Sequence, residues 1–143
     1  MTAGRSGPMA VPATGDGIRL AFLIGAIYDG VLGLIFLLAP RAIMTVLGIP
    51  FPENAIYLQL AAGLIALMGL LHYFVWRDRV SNADIITVLV VFKVFYVLLT
   101  ILSASQGRLP HPLFGVFAVI DLLFFLVFLG ALRAVGRSPR GTA

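Results

Sequence analysis

Four long apolar runs, separated by short polar links, dominate the chain. They cover residues 17–39, 54–76, 82–105 and 113–135. A helix needs about 20 residues to cross a hydrocarbon core of about 30 Å, and each run is long enough. The links after the second and third runs are short, so each joins antiparallel neighbours. The pattern predicts an all-α fold, a membrane-embedded antiparallel four-helix bundle.

The link between the first two runs has a pattern of its own. Residues 41–47 are mostly apolar but too few to cross a membrane, and Pro50 and Pro52 follow them closely. A short apolar segment of this kind lies favourably among lipid headgroups. We therefore expect a short interfacial helix between the first and second membrane helices.

The composition agrees with a membrane location. Hydrophobic residues make up 61% of the 143 residues and charged residues 11%, against roughly 25% charged in soluble domains. A soluble domain of this size has too little interior to bury so much apolar surface. The absence of cysteine excludes disulfides, thiolate catalysis and thiolate-bound metal centres.

Basic residues in the links indicate orientation, since cytoplasmic loops carry more Lys and Arg. With the N-terminus inside, seven of the ten Lys and Arg lie on the inner side, and only Arg41 and Arg108 lie outside. We expect both termini in the cytoplasm and a multi-pass protein of the bacterial inner membrane. Residues 1–16 and 136–143 are predicted to be cytoplasmic tails, the first of them disordered, flanking a transmembrane domain of residues 17–135.

Three ionisable residues interrupt the apolar runs: Asp29 in the first, Lys93 in the third and Asp121 in the fourth. At a rise of 1.5 Å per residue they lie within about 6 Å of one another in depth. Charges at membrane depth are costly, so they usually face the interior of the helix bundle and pair with one another. The sequence therefore predicts an Asp–Lys–Asp cluster, which is either a structural clamp or a ligand or proton site.

Further candidates for the site follow from helical spacing. Tyr96 and Thr100 continue the face of Lys93 in the third run, and Gln59 begins a face of small residues in the second run that ends at Tyr73. Glycines four residues on either side of Asp29 predict a close helix contact. His72 is expected on the side away from the Gln59 face, and no metal site is expected.

These residues resemble the DoxX-like group of small four-helix bacterial membrane proteins. The resemblance covers about residues 17–135. It is carried by the Tyr28-Asp29-Gly30 step, by Leu38-Ala39-Pro40 at the end of the first run, by Leu47-Gly48-Ile49-Pro50, and by Lys93 and Asp121. It implies an accessory role beside quinone-linked oxidation, with quinone as a possible cofactor. It supplies no catalytic motif.

Two classes of function remain open. The first is a non-enzymatic membrane protein, either an accessory subunit or a binder of a small apolar or amphipathic ligand between its helices. The alternative is a proton- or cation-coupled carrier working as an oligomer, or a quinone-linked oxidoreductase subunit. Four helices leave little room for two transport repeats, so a carrier requires a homo-oligomer. The expected partners are the lipid bilayer and other membrane subunits, and not nucleic acid.

Overall fold

The computed structural model describes residues 14–136, which form five α-helices. These are α1 (Thr14–Leu38), α2 (Pro40–Val46), α3 (Ile56–Arg77), α4 (Ala83–Ser105) and α5 (Leu113–Gly136). All except α2 contain a span that is long and apolar enough to cross a membrane, and each span lies within two residues of a predicted run. The all-α prediction is confirmed for the described part of the chain. The predicted tails lie almost entirely outside it.

The segment after the first run is helical, as the sequence predicts. Pro40 occupies the first turn of α2, where its missing N–H leaves no helical hydrogen bond unmade. Beyond α2, Gly48 has a φ of 64°, in the left-handed region that favours glycine. The N–H of Gly48 bonds the carbonyl of Thr45 at 3.1 Å, and that of Ile49 bonds Met44 at 2.9 Å. This pair of bonds closes the helix end.

Large apolar side chains point outward along the long helices. On α1 they recur every three or four residues, which places them on one face: Leu20, Ile24, Ile27, Val31, Leu34, Ile35 and Leu38. Similar exposed rows lie on α3, α4 and α5. A continuous apolar surface of this extent suits hydrocarbon and is unfavourable in water. The long helices and their outward faces together indicate a multi-pass membrane protein.

The closest packing joins α1 and α3. Gly33 lies so near the backbone of Ala62 and Ala66 that a Cβ at position 33 would overlap both. Gly69 meets Gly30 in the same way. Small residues let membrane helices approach and gain van der Waals contact. The close contact expected from the glycines of the first run is thus confirmed.

A second close pair forms between α4 and α5, and the two pairs touch each other less. In one half of the molecule they meet in a packed apolar core: Phe22, Val75, Ile86, Leu89, Val90, Phe128 and Ala131. There the rings of Phe22 and Phe128 stack with centroids 4.4 Å apart. In the other half, toward Phe36 and Leu58, the pairs leave a pocket between them.

Candidate functional site

Three charged side chains from three helices meet in the interior, where the packed core gives way to the pocket. Nζ of Lys93 on α4 lies 2.8 and 2.9 Å from the two carboxylate oxygens of Asp29 on α1. It also lies 2.8 Å from Oδ1 of Asp121 on α5. The exposed fractions of Asp29, Lys93 and Asp121 are 2%, 0% and 5%. The predicted Asp–Lys–Asp cluster is confirmed.

The hydrogen bonds explain how the interior accommodates a lysine. An ammonium group has three N–H donors, and those of Lys93 meet three carboxylate oxygens. Nζ also lies 5.2 Å from the ring centroid of Tyr28 and 5.5 Å from that of Phe124, in cation–π range. The cluster nevertheless holds two carboxylates for one ammonium. Among the described residues, none donates a hydrogen bond to Oδ2 of Asp121.

His72 of α3 is a fourth member of the cluster. Its side chain is fully buried, and Nδ1 lies 2.8 Å from the carbonyl oxygen of Met68 and 3.4 Å from Oδ2 of Asp29. The sequence predicts His72 on the side of α3 away from the Gln59 face, with the Gln59 face turned inward. His72 is instead the buried residue and Gln59 the exposed one, so the predicted inward face is wrong. A Cβ at Gly25 would lie 2.8 Å from the imidazole ring, so glycine at that position provides the space for His72.

The residues that α3 turns inward differ from those predicted from the sequence. Helical spacing predicts Gln59 and Tyr73 on that face, but both are exposed, whereas Ala62, Gly69 and His72 are buried. Helical spacing from Gly69 reaches both position 72 and position 73, so periodicity does not separate them. The available signal was the preference of tyrosine for the membrane interface, which places Tyr73 outward and leaves His72 inside.

A pocket of about 360 Å³ adjoins the cluster. All four long helices contribute to its wall, and Asp29 and Asp121 both line it. The rest of the wall is largely apolar and includes seven aromatic rings: Tyr28, Phe36, Phe92, Phe95, Tyr96, Phe114 and Phe117. The pocket therefore brings an apolar chamber into contact with buried carboxylates.

The mouth of the pocket lies between α3 and α4. The exposed residues of the pocket wall all belong to these two helices, and they are Ala61, Leu64, Phe95 and Leu99. The outward faces of the same helices carry rows of exposed apolar side chains. The mouth therefore opens on the same side as these exposed apolar side chains. In a membrane, that side faces the hydrocarbon of the bilayer.

The remaining candidates from the sequence lie in different places. Tyr96 lines the pocket, and its hydroxyl donates a hydrogen bond to the carbonyl of Phe114 at 3.3 Å. Thr100 is buried one turn further along α4, outside the pocket wall. Gln59 is exposed and lines a separate surface hollow beside Arg41. The structure thus brings Tyr96 to the site and leaves Gln59 apart from it.

Comparisons with known protein families, with characterised proteins and with solved structures find no match to this chain. Within residues 14–136, no group of three or more His, Asp or Glu side chains is arranged to hold a metal ion. The features that remain to be explained are the buried charges, His72 and the aromatic pocket.

Proposed function

We propose that this multi-pass membrane protein binds a small apolar or amphipathic ligand in the pocket between its long helices, without performing chemistry on it. The observation that carries this proposal is the pocket of about 360 Å³, whose largely apolar wall contains two aspartates. Small-ligand sites are usually concave and mostly apolar, with a few polar groups that fix orientation. The pocket has each of these properties.

The binding mode follows from the distribution of polar groups. The apolar body of the ligand lies among the aromatic rings, and its polar group reaches Asp121. Asp121 is only 5% exposed, so a hydrogen bond to it forms in surroundings of low dielectric, where such bonds are stronger. The mouth between α3 and α4 admits a lipid-soluble molecule from the bilayer without passage through water.

We also propose that the long helices form an antiparallel bundle in the bacterial inner membrane, with both termini cytoplasmic and α2 at the outer interface. The α1–α3 contacts support the antiparallel arrangement, because Gly25 meets His72 whereas Gly33, further along α1, meets Ala62, further back on α3. The seven-to-two distribution of basic residues supports the orientation.

Membership of the DoxX-like group is part of the same proposal. Three residues that carry the resemblance support it by lying at one site, since Asp29 and Asp121 both contact Lys93. The group's association with quinone-linked oxidation makes an accessory role beside other membrane subunits a natural setting for a ligand-binding protein.

The ligand-binding role is tested by blocking the pocket. The probe is radiolabelled para-hexyl-tert-butylbenzene, a neutral apolar molecule, added to the protein in phosphatidylcholine nanodiscs, with binding to empty nanodiscs subtracted. Leu99 lines the pocket, whereas its neighbour Leu98 is exposed and does not. We expect saturable binding to the natural chain, loss of it in Leu99→Trp and retention in Leu98→Trp.

Two results would overturn the proposal. One is uptake that rises linearly with probe concentration in all three proteins, which is partition into lipid. The other is equal saturable binding in Leu99→Trp and Leu98→Trp, which places the binding site outside the pocket. Because both variants add an indole at an exposed position of the same helix, a general effect of tryptophan on folding affects them alike.

A further inference from the structure

With both carboxylates ionised, the cluster holds two negative charges and one positive charge. Lys93 directs its three N–H groups to Asp29 and to Oδ1 of Asp121. His72 donates from Nδ1 to the carbonyl of Met68, and its Nε2 is buried without a partner among the described residues. A proton on Nε2 would have no acceptor there, which is unfavourable, so His72 is neutral. When Asp29 and Asp121 are both ionised, one carboxylate charge is therefore unmatched.

The unmatched charge faces the pocket. Oδ1 of Asp121 is bonded to Lys93, so the oxygen left to meet a ligand is Oδ2. Only 5% of Asp121 is exposed, yet the residue forms part of the pocket wall. A buried carboxylate without a full set of partners is energetically unfavourable until a cation or a hydrogen-bond donor reaches it.

Aromatic rings beside this carboxylate also favour positive charge. Tyr28 and Phe117, both in the pocket wall, meet edge to face with centroids 6.2 Å apart. Tyr28 already has the ammonium of Lys93 at 5.2 Å from its ring centroid. The faces of aromatic rings attract cations, most strongly where water is excluded. The carboxylate and the rings therefore select for the same sign of charge.

On the basis of the ligand-binding role proposed above, we propose that the ligand is a lipophilic organic cation, an amine or ammonium ion attached to an apolar body. Its charged group lies against Asp121 and the nearby rings, and its apolar body extends toward Phe36 and Leu58. A metal ion does not suit this site, because hard cations require several oxygen ligands and the wall is largely apolar. An organic anion is repelled by the unmatched carboxylate.

Three probes of nearly equal shape test the charge preference. They are para-hexyl-N,N,N-trimethylanilinium, its neutral isostere para-hexyl-tert-butylbenzene, and the anion para-hexylbenzenesulfonate. Binding is measured to the natural chain in nanodiscs of zwitterionic phosphatidylcholine, with empty nanodiscs subtracted. We expect the cation to bind at least ~tenfold more tightly than the neutral isostere, from its attraction to the rings and the carboxylate, and the anion to bind more weakly than either.

Two variants locate the preference. Asp121→Asn keeps an oxygen for Lys93 and removes the charge, so the ratio of cation to isostere affinity should fall toward one. Leu99→Trp should abolish cation binding, and Leu98→Trp should retain it. Cation binding that persists in Leu99→Trp occurs elsewhere and overturns the proposal. The three-probe comparison uses the natural chain, so it decides the question even if Asp121→Asn does not fold.

The outcomes separate this inference from the proposed function. Equal affinities for the cation and its isostere, both lost in Leu99→Trp, would show that Asp121 is already neutralised. That result overturns the cation preference and leaves the ligand pocket in place. Absence of saturable binding by all three probes overturns both.

Discussion

Lys93 donates hydrogen bonds to both carboxylate oxygens of Asp29, at 2.8 and 2.9 Å, although 64 positions separate the two residues in the chain. The bonds connect α4 to α1, two helices that otherwise have little contact and belong to different close pairs. The ammonium also holds Asp121 on α5. One lysine therefore joins the two helix pairs at the end of the pocket that adjoins the packed apolar core.

Removing that lysine should destabilise the protein strongly. Lys93→Met leaves Asp29 and Asp121 buried without a cation, and loss of one partner of a buried pair costs about 3–5 kcal/mol. Substituting Asp29→Leu and Asp121→Leu together with Lys93→Met should be milder, because no charge is then left unpaired. Unfolding free energies in detergent micelles measure both effects.

The matched control for the lysine variant is Val91→Met, at an exposed position of α4. It should lie within about 0.5 kcal/mol of the natural chain. If Lys93→Met unfolds like Val91→Met, the cluster does not stabilise the fold. If the triple variant is stable and also binds the probes as the natural chain does, the cluster is a structural clamp only.

The glycine contact between α1 and α3 should tolerate no added methyl group. In Gly33→Ala the new Cβ overlaps the backbone of Ala66 and Ala62, which cannot rotate away, so we expect a loss of about 1–3 kcal/mol. Gly130→Ala on α5 is the control, since a Cβ there meets nothing within 4 Å. It should be neutral or stabilising by up to about 1 kcal/mol. Equal thermal stability of the two variants would contradict the packing.

The proposed orientation is tested with single cysteines, because the chain has none of its own. Val80→Cys lies between α3 and α4, and Gln106→Cys follows α4; both positions are exposed. In intact cells a membrane-impermeant maleimide should label Gln106→Cys and leave Val80→Cys unlabelled until the cells are opened. Labelling of both positions in intact cells would refute the antiparallel crossing of α4, and the reverse pattern would invert the orientation.

The turn between α3 and α4 should loosen in acid. The Asp78 carboxylate accepts a hydrogen bond from the Ser81 hydroxyl at 2.6 Å and from the N–H groups of Ser81 and Val80 at 3.1 Å. These bonds, the Ser81 hydroxyl first, hold the pKa of Asp78 below its ordinary value of 3.8. Because the folded pKa is the lower one, the stabilisation is present above pH 3.8 and is lost as the pH falls through the folded pKa.

This pH dependence is measured by an NMR titration of Asp78 and by amide exchange at Val80. Ser81→Ala removes the strongest contribution, so the pKa of Asp78 should rise toward 3.8. Ser105→Ala, at the far end of α4, should leave the titration of Asp78 unchanged. A Ser81→Ala protein that titrates like the natural chain would show that the hydroxyl does not hold this carboxylate.

Much of the architecture is readable in the sequence, because the bilayer imposes strong local constraints. The lengths of the apolar runs predict the spans to within two residues, since backbone groups in hydrocarbon must be satisfied within the helix. The low polarity of the hydrocarbon also predicts that Asp29, Lys93 and Asp121 meet, because an unpaired charge at that depth is costly. These conclusions depend on residue type and depth alone.

The rotation of each helix about its own axis is set by packing against its neighbours. This rotation decides which of the remaining side chains face the cluster. Neighbouring positions on a helix point about 100° apart, so placing His72 inside and Tyr73 outside depends on which residues of α3 fit against Gly25 and Gly30. The same rotation leaves Gln59 exposed, away from the cluster.

The pocket likewise exists only in the tertiary structure. It forms because the two helix pairs are closely packed through Phe22 and Phe128 in one half of the molecule and part in the other. The spans and the pairing of the buried charges can be predicted from the residues alone, since both follow from the energetics of the membrane interior. Tertiary packing decided which side chains surround those charges and where space remains, because both depend on the relative rotation and separation of whole helices.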